Sequence, residues 1–149
     1  MGNLKLTSSA FSDGGEIPRE CGYKNGNKVP PLTVSGIPEG TKSLALIMDD
    51  PDAMEPAGKV WVHWVAWNID PTNTELENLT TGGMTDFGEV GYGGPAPPDK
   101  RHTYVFKLYA LNCTTEHQLG SGISTKADLE KVMEGHIIKQ ATLTGTYAP

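Results

Sequence analysis

The chain has 149 residues, a length that suits one domain spanning residues 1–149 with a sizeable core. Its composition (37% hydrophobic, 20% charged) is that of a globular protein rather than a disordered chain or coiled coil, and 18 Gly with 11 Pro disfavour a helix bundle. The net charge is −6, without a cluster of Lys or Arg, so we do not expect nucleic acid as a partner.

Targeting signals are not evident in the sequence. Residues 1–10 lack the apolar run of a signal peptide, and no stretch reaches the ~20 apolar residues of a membrane span. We therefore expect a cytoplasmic protein without membrane insertion. Cys21 and Cys113 lie far apart and lack zinc-ligand spacing, so two buried free thiols are expected, while a disulfide between them stays open.

Short segments with strand character dominate the chain. In chain order they are residues 4–7, 32–35, 44–48, 60–69, 104–111 and 141–147. Residues 60–69 are apolar on both alternating faces, so we expect both faces of this strand to be covered.

One segment near the end of the chain reads as a helix. Thr125 and Asp128 have the spacing of a capping box, and apolar residues follow at helical spacing as far as Ile137. Lys139 lies toward the negative end of this predicted helix, and Gly135 would weaken it by about 1 kcal/mol relative to Ala. Many strands, turn-rich connections and one late helix predict a β-sandwich with a peripheral helix.

The apolar strand at residues 44–48 ends abruptly in carboxylates. Pro51 cannot continue a strand, because its φ is fixed and it lacks an N–H, so Asp50 and Asp52 are expected at a sheet rim. These carboxylates could form part of a site, or could simply cap backbone amides of the loop.

A loop rich in Gly and Pro, residues 91–98 (GYGGPAPP), precedes His102 and Tyr104. Glycines allow close backbone approach and prolines stiffen a loop, so its N–H groups could point at an anion. His102 and Tyr104 share a face if a strand has begun there. The alternative is a surface loop followed by an exposed histidine.

His63 lies in the middle of a strongly apolar strand, where its ring nitrogens need partners. It is either a satisfied core histidine or part of a site. A carboxylate from Asp50 or Asp52 would satisfy it and favour its charged form, a good anion receptor.

Two histidines and two aspartates could also bind a divalent ion, but no HxH, HExxH or CxxC spacing is present. The serine-hydrolase motif GxSxG, the dinucleotide motif GxGxxG and the P-loop are absent from the sequence.

Together these segments resemble the phosphatidylethanolamine-binding protein family, also called the Raf kinase inhibitor protein family, and most closely its shorter prokaryotic branch. The similar stretches are FSDGGEIP (11–18), VPPL (29–32), GIPEGTKSLALIM (36–48), DPDA (50–53), WVHW (61–64), TDFGEVGYGGPAPP (85–98), HTYVF (102–106), GH (135–136) and LTGTY (143–147). The resemblance implies a mostly β fold, an antiparallel β-sandwich of two packed sheets with a small peripheral helical part. It also implies a rim pocket that takes phosphate-like or other anionic groups.

Carried over residue by residue, the resemblance implies a ligand-binding set without catalytic residues, metal ligands or a cofactor. The set is Asp50, Asp52, Trp61, His63, Gly94, Pro95, Ala96, Pro97, His102 and Tyr104. His63, His102 and the Tyr104 hydroxyl would supply donors, and Asp50 would orient His63. The backbone N–H of Ala96 would complete the cradle, with Trp61 as a wall.

The sequence departs from the family pattern at several positions. Val62 stands where the family often has a first histidine, Thr103 where it often has arginine, and Met54 where it often has proline. The link between Pro98 and His102 is short, and Arg101 within it could supply a missing positive charge or be a solvated loop residue. These changes bear on ligand size and affinity more than on the pocket itself.

The expected function is a binding module, not an enzyme, whose partner is a small anionic ligand such as phosphate, a phosphoethanolamine-like group or a carboxylate. Regulation of a kinase or serine protease as protein partner rests on the family alone. The alternative is a protease or kinase inhibitor acting through an exposed loop, and a metal-dependent hydrolase using the same His and Asp residues is a third hypothesis. The prokaryotic branch is compatible with a homodimer, although no stripe of the sequence demands one.

Overall fold

The computed structural model describes residues 3–76, 79, 82–115 and 124–149. Its strands are β1 (Lys5–Thr7), β2 (Gly15–Glu16), β3 (Thr33–Ser35), β4 (Ser43–Asp50), β5 (Trp61–Ile69), β6 (His102–Leu111) and β7 (Ile137–Tyr147). Its helices are α1 (Met54–Ala57) and α2 (Lys126–Met133), with 3₁₀ turns at Arg19–Cys21 and Pro51–Ala53. Within these described ranges, no helix has the length and apolar character needed to cross a membrane.

The strands form two sheets. The larger has the order β2-β7-β6-β4-β5, and the smaller pairs β1 with β3. All pairs are antiparallel except the short contact between β2 and β7, which is parallel. The mostly β fold with two sheets and few helices is therefore confirmed. Every predicted strand segment overlaps an observed strand, whereas β2 was not predicted and β7 begins four residues earlier than expected.

Strand β4 lies inside the larger sheet, between β6 and β5, and is buried along its whole length. Leu46 and Met48 pack into the main core on one face, and Ile47 packs on the other face in a second cluster that includes Leu129 of α2. Each such side chain contributes about 1.5–3 kcal/mol when fully buried, so the continuous apolar run explains why this strand lies inside the sheet with both faces covered. Both faces of β5 contribute to these two clusters, as its pattern predicted.

The helix is shorter than predicted. Its capping box is confirmed, with the Thr125 side chain accepting from the Asp128 backbone and the Asp128 side chain accepting from the Thr125 N–H. The predicted extension to Ile137 is wrong, because the helix ends at Met133 and Gly135 follows with φ of 81°. This left-handed conformation, which suits glycine, reverses the chain, and Ile137 begins β7 by pairing with Leu111.

Three neighbouring strands bring polar residues to one rim of the larger sheet. Asp50 at the end of β4 pairs with Trp61 at the start of β5, and β6 begins nearby at His102. The Pro51–Ala53 turn and α1 follow β4 at this rim, and the Asp50 side chain caps the turn by accepting from the Asp52 N–H at 2.9 Å. The fold thus gathers most of the residues that the sequence singled out.

Candidate functional site

A cavity of about 190 Å³ opens at this rim. It is lined by Asp50, Ala53, Pro56, Ala57, Trp61, His63, Phe87, Ala96, Pro98 and His102. Five of the ten predicted ligand-binding residues lie in the lining: Asp50, Trp61, His63, Ala96 and His102. The other five (Asp52, Gly94, Pro95, Pro97 and Tyr104) are not in the lining.

His102 is held between two carboxylates. Its Nδ1 lies 2.6 Å from Asp50 Oδ2, and its Nε2 lies 2.7 Å from Asp99 Oδ1. His102 and Asp50 are almost fully buried, whereas 36% of the Asp99 side chain is exposed. Because both ring nitrogens face carboxylate oxygens, the arrangement fits an imidazolium that donates two hydrogen bonds.

The pKa of His102 reflects two opposing influences. Burial favours the neutral ring, but the hydrogen bonds and charges of Asp50 and Asp99 outweigh it and raise the pKa above its ordinary value. For Asp99, partial desolvation favours the acid form, but hydrogen bonds from His102 and the loop backbone lower its pKa. Both shifts favour the ion pair.

His63 has a different environment, and here the expected pairing is wrong. Its Nδ1 lies 2.7 Å from the Gly93 carbonyl oxygen, whereas Asp50 orients His102 instead. Burial lowers the pKa of His63, only partly offset by the Gly93 carbonyl and the charge of Asp50. The ring is therefore a neutral tautomer near pH 7 that donates from Nδ1. Its Nε2 carries a lone pair and can donate to an anion only after it takes up a proton.

Aromatic rings form one wall of the cavity. The Phe87 ring lies edge-on to Trp61 at 5.7 Å and to His63 at 5.2 Å between ring centroids, and it stacks on Tyr23 at 4.0 Å. The Trp61 Nε1 is buried and has no hydrogen-bond partner among the described residues. Buried donors are almost always paired, so this one needs a partner that a bound molecule could supply.

Tyr104 lies directly behind the histidines. Its ring meets His63 edge-on with centroids 5.1 Å apart, and the residue is fully buried. Its hydroxyl lies near Asp50 and the Ala96 backbone, yet no described group reaches it in hydrogen-bonding geometry. Burial, with the charge of Asp50, raises the pKa of this phenol far above its ordinary value, so it stays a neutral donor.

The Gly-Pro loop is fixed by contacts to the protein rather than held open. The Gly94 N–H donates to Asn27 Oδ1 at 2.7 Å, and the Pro95 carbonyl accepts from the Tyr23 N–H at 2.9 Å. A Cβ on Gly94 would overlap the Cys21 carbonyl oxygen, which explains a glycine here. Gly94 is engaged and prolines lack an N–H, so Ala96 provides the remaining loop amide at the cavity, where it lies beside the Tyr104 hydroxyl.

Two residues at the rim face away from the cavity. Asp52 is exposed, and its Oδ2 accepts from the Thr103 N–H at 2.9 Å, which ties the 3₁₀ turn to β6. Arg101 donates to Glu16 Oε1 at 2.6 Å on the protein surface. Arg101 therefore does not supply the cavity with positive charge.

Sequence reasoning missed several contributors to the site. Phe87, Asp99 and Asn27 come from loops without a periodic pattern, although Asp99 stands only three residues before His102. Across the described ranges, His, Cys, Asp and Glu side chains form no group of three or more suited to a metal ion. Cys21 and Cys113 are free, the first buried and the second half-buried.

Comparison with known proteins agrees with this architecture. The family model "Phosphatidylethanolamine-binding protein" matches residues 7–148. A UPF0098 protein of Methanothermobacter thermautotrophicus is 42% identical over 154 aligned positions, which cover 97% of this chain and 98% of that protein. A UPF0098 protein of Chlamydia muridarum is 40% identical, with coverage of 97% and 98%.

Two solved structures are similar along almost their whole length. One is a putative phosphatidylethanolamine-binding protein homologue, CT736 of Chlamydia trachomatis, with TM-score 0.90, 37% identity and coverage of 99% of this chain and 98% of the other. The second is E. coli YbcL, described as a new member of the mammalian family, with TM-score 0.85, 34% identity and coverage of 97% and 98%. Sequence and structure agree: the chain belongs to the phosphatidylethanolamine-binding protein family.

Proposed function

We propose that this protein is a binding module that takes a small oxyanion, a phosphate or carboxylate group, in the rim cavity. The observation that carries the proposal is a convergence of donors. His102 and His63 line the cavity, where His63 would donate from Nε2 after taking up a proton together with the anion. The Trp61 Nε1 and Tyr104 hydroxyl are buried donors without partners among the described residues. The oxygens of an oxyanion would supply the acceptors that these groups lack.

The size and shape of the cavity favour a head group over a larger molecule. About 190 Å³ is below the roughly 300–1,000 Å³ of pockets that hold drug-sized ligands. Ala53, Pro56 and Ala57 form an apolar side, which suits a short carbon segment attached to the oxyanion. The name of the family refers to a phospholipid whose head group carries a phosphate, and this supports phosphate as the first probe.

The residues that line the cavity support binding without turnover as part of this proposal. The lining contains no Ser, Thr, Cys or Lys side chain that His63 or His102 could activate as a nucleophile. His102 already has a carboxylate on each nitrogen, so it is poorly placed as a general base. These features support a site that holds an anion over one that transforms it.

The hypothesis of an inhibitor acting through an exposed loop gains no support from the Gly-Pro segment. Gly93, Gly94, Pro95 and Pro97 are buried, and the Pro95 carbonyl accepts from the Tyr23 N–H. Three other expectations stay predictions from the sequence: regulation of a kinase or serine protease, a homodimer, and a cytoplasmic location.

Affinity measurements on histidine variants test the proposal. Inorganic phosphate and acetate are titrated into the wild-type protein and into His63→Gln and His102→Gln, with binding followed by backbone amide NMR at about pH 6. The matched control is His136→Gln, because His136 is exposed at the opposite end of β6, where its Nδ1 contacts Asn112.

Loss of a charge-assisted hydrogen bond corresponds to about 1.5–3 kcal/mol, so each site variant should bind the better anion at least tenfold more weakly. His136→Gln should match the wild type. Equal affinity in all four proteins, or no saturable binding by the wild type, would refute an anion site in this cavity.

A further inference from the structure

The Asp99 carboxylate is hydrogen-bonded to Nε2 of His102, the ring nitrogen that is not bonded to the buried Asp50. The Asp99 carboxylate reaches Nε2 at 2.7 Å, while Nδ1 is taken by the buried Asp50. His102 itself lines the cavity, so Nε2 is its one nitrogen that could donate to a ligand there. A bound oxyanion and the Asp99 carboxylate would therefore compete for the same N–H of His102.

From this geometry we propose that Asp99 is an internal competitor, a carboxylate of the protein that holds the anion position on His102 until a ligand displaces it. The inference rests on the proposed function and adds a residue that sets the affinity and selectivity of the site. A ligand must bring an oxyanion strong enough to replace a tethered carboxylate.

The local charge favours a ligand anion that replaces Asp99 over one that binds beside it. Asp50, Asp99 and the His102 imidazolium sum to one net negative charge, and Arg101 is engaged with Glu16 on the surface. A ligand anion entering beside Asp99 would face two carboxylates around one cation. A ligand anion that takes the place of Asp99 leaves the local charge balance as it was.

The surroundings of Asp99 allow it to leave without disturbing the core. Residues 98–101 are exposed, and the neighbouring ion pairs, Lys100 with Glu55 at 3.1 Å and Arg101 with Glu16 at 2.6 Å, lie on the surface. Exposed pairs of this kind hold a segment only weakly. The preceding part of the loop stays fixed, because the Gly94 N–H is bonded to Asn27.

This competition lowers the apparent affinity for an anion. The apparent affinity equals the intrinsic affinity multiplied by the fraction of molecules in which Nε2 is free. If Asp99 holds Nε2 in about nine molecules of ten, removing its side chain tightens anion binding by about tenfold. A purely structural role would give the opposite sign, because loss of a supporting contact weakens binding.

The test compares phosphate affinity of the wild type, Asp99→Ala and Asp99→Asn by NMR titration at about pH 6, where Asp50 still favours the imidazolium. The control for net charge is Glu39→Gln, an exposed carboxylate in the turn before β4, at the far end of the sheet. Asp99→Ala should bind phosphate about tenfold more tightly than the wild type, and Asp99→Asn should be intermediate, because its amide oxygen keeps a weaker contact. Glu39→Gln should stay within about twofold of the wild type, since remote surface charges are screened.

The outcomes separate the two proposals. If the wild type binds phosphate and Asp99→Ala binds it with equal or weaker affinity, the competitor role is overturned while the anion site stays intact. An equal gain in Glu39→Gln would assign the effect to net charge and would also overturn it. Absence of binding in both the wild type and Asp99→Ala would overturn the anion site and the competitor together.

Discussion

Replacing Asp50 with Asn tests the buried pair that organises the site. The substitution keeps a side-chain oxygen that can cap the Asp52 N–H, but it removes the charge that faces His102 Nδ1 at 2.6 Å. Asp50 and His102 are only 3% and 1% exposed, so water cannot replace the lost carboxylate.

The magnitude follows from the burial of the pair. Removing one partner of a buried ion pair costs about 3–5 kcal/mol, and Asp99 remains as a second partner of His102, so we expect a loss of about 2–4 kcal/mol. For a chain of this size that corresponds to a fall in Tm of roughly 5–15 °C. The pKa of His102 should also fall, because one of the two groups that raise it is gone.

The assay is urea unfolding at about pH 6, combined with an NMR titration of the histidine rings. The matched control is Asp52→Asn, since Asp52 is exposed and accepts only the Thr103 N–H in the described structure, and its cost should stay within about 1 kcal/mol. A loss for Asp50→Asn no larger than for Asp52→Asn, with the pKa of His102 unchanged, would refute the reasoning.

Three further predictions follow from other parts of the structure. The folded pKa of His102 is raised, so the stability lost in His102→Gln should be largest below about pH 6.5 and should shrink as pH rises through the folded pKa, measured by urea unfolding at several pH values. Gly94→Ala should cost about 2–4 kcal/mol because its Cβ meets backbone, whereas Gly135→Ala has open space and should lose about 1–2 kcal/mol for its positive φ; equal thermal shifts would contradict this. Cys113 should react with a thiol reagent in the native protein, while Cys21, which is 2% exposed and has its pKa raised to about 11 mainly by burial, should react only on unfolding; rapid modification of both thiols would contradict this.

The strands could be predicted because burial leaves a direct record in the sequence. The run at residues 44–48 is wholly apolar, and the run at 60–69 is apolar except for His63 and Asn68. Both lie in strands covered on two faces. The end of the helix could not be placed in the same way, because Ile137 continues the helical spacing by chance. Its partner in β7 pairing, Leu111, is distant in sequence, and that tertiary contact decides the boundary.

The candidate site shows a similar division. The carboxylates and histidines at strand ends could be found from the sequence, because polar residues in apolar runs need a reason to be there. The sequence could not show which histidine Asp50 contacts, since β5 and β6 both flank β4 and each brings one histidine to the rim. The role of Asp99 depends on how a short loop folds back onto His102, and no periodic pattern records that.

The most direct test of the anion site is an NMR measurement of the ring nitrogens of His63, His102 and His136 with and without saturating phosphate. We expect Nε2 of both histidines to shift, because His102 Nε2 would donate to the bound oxyanion and His63 Nε2 would take up a proton in order to donate to it. The ring of His136, exposed and distant, should not respond. Unchanged ring nitrogens of His63 and His102 at a phosphate concentration that saturates any other signal would contradict the account.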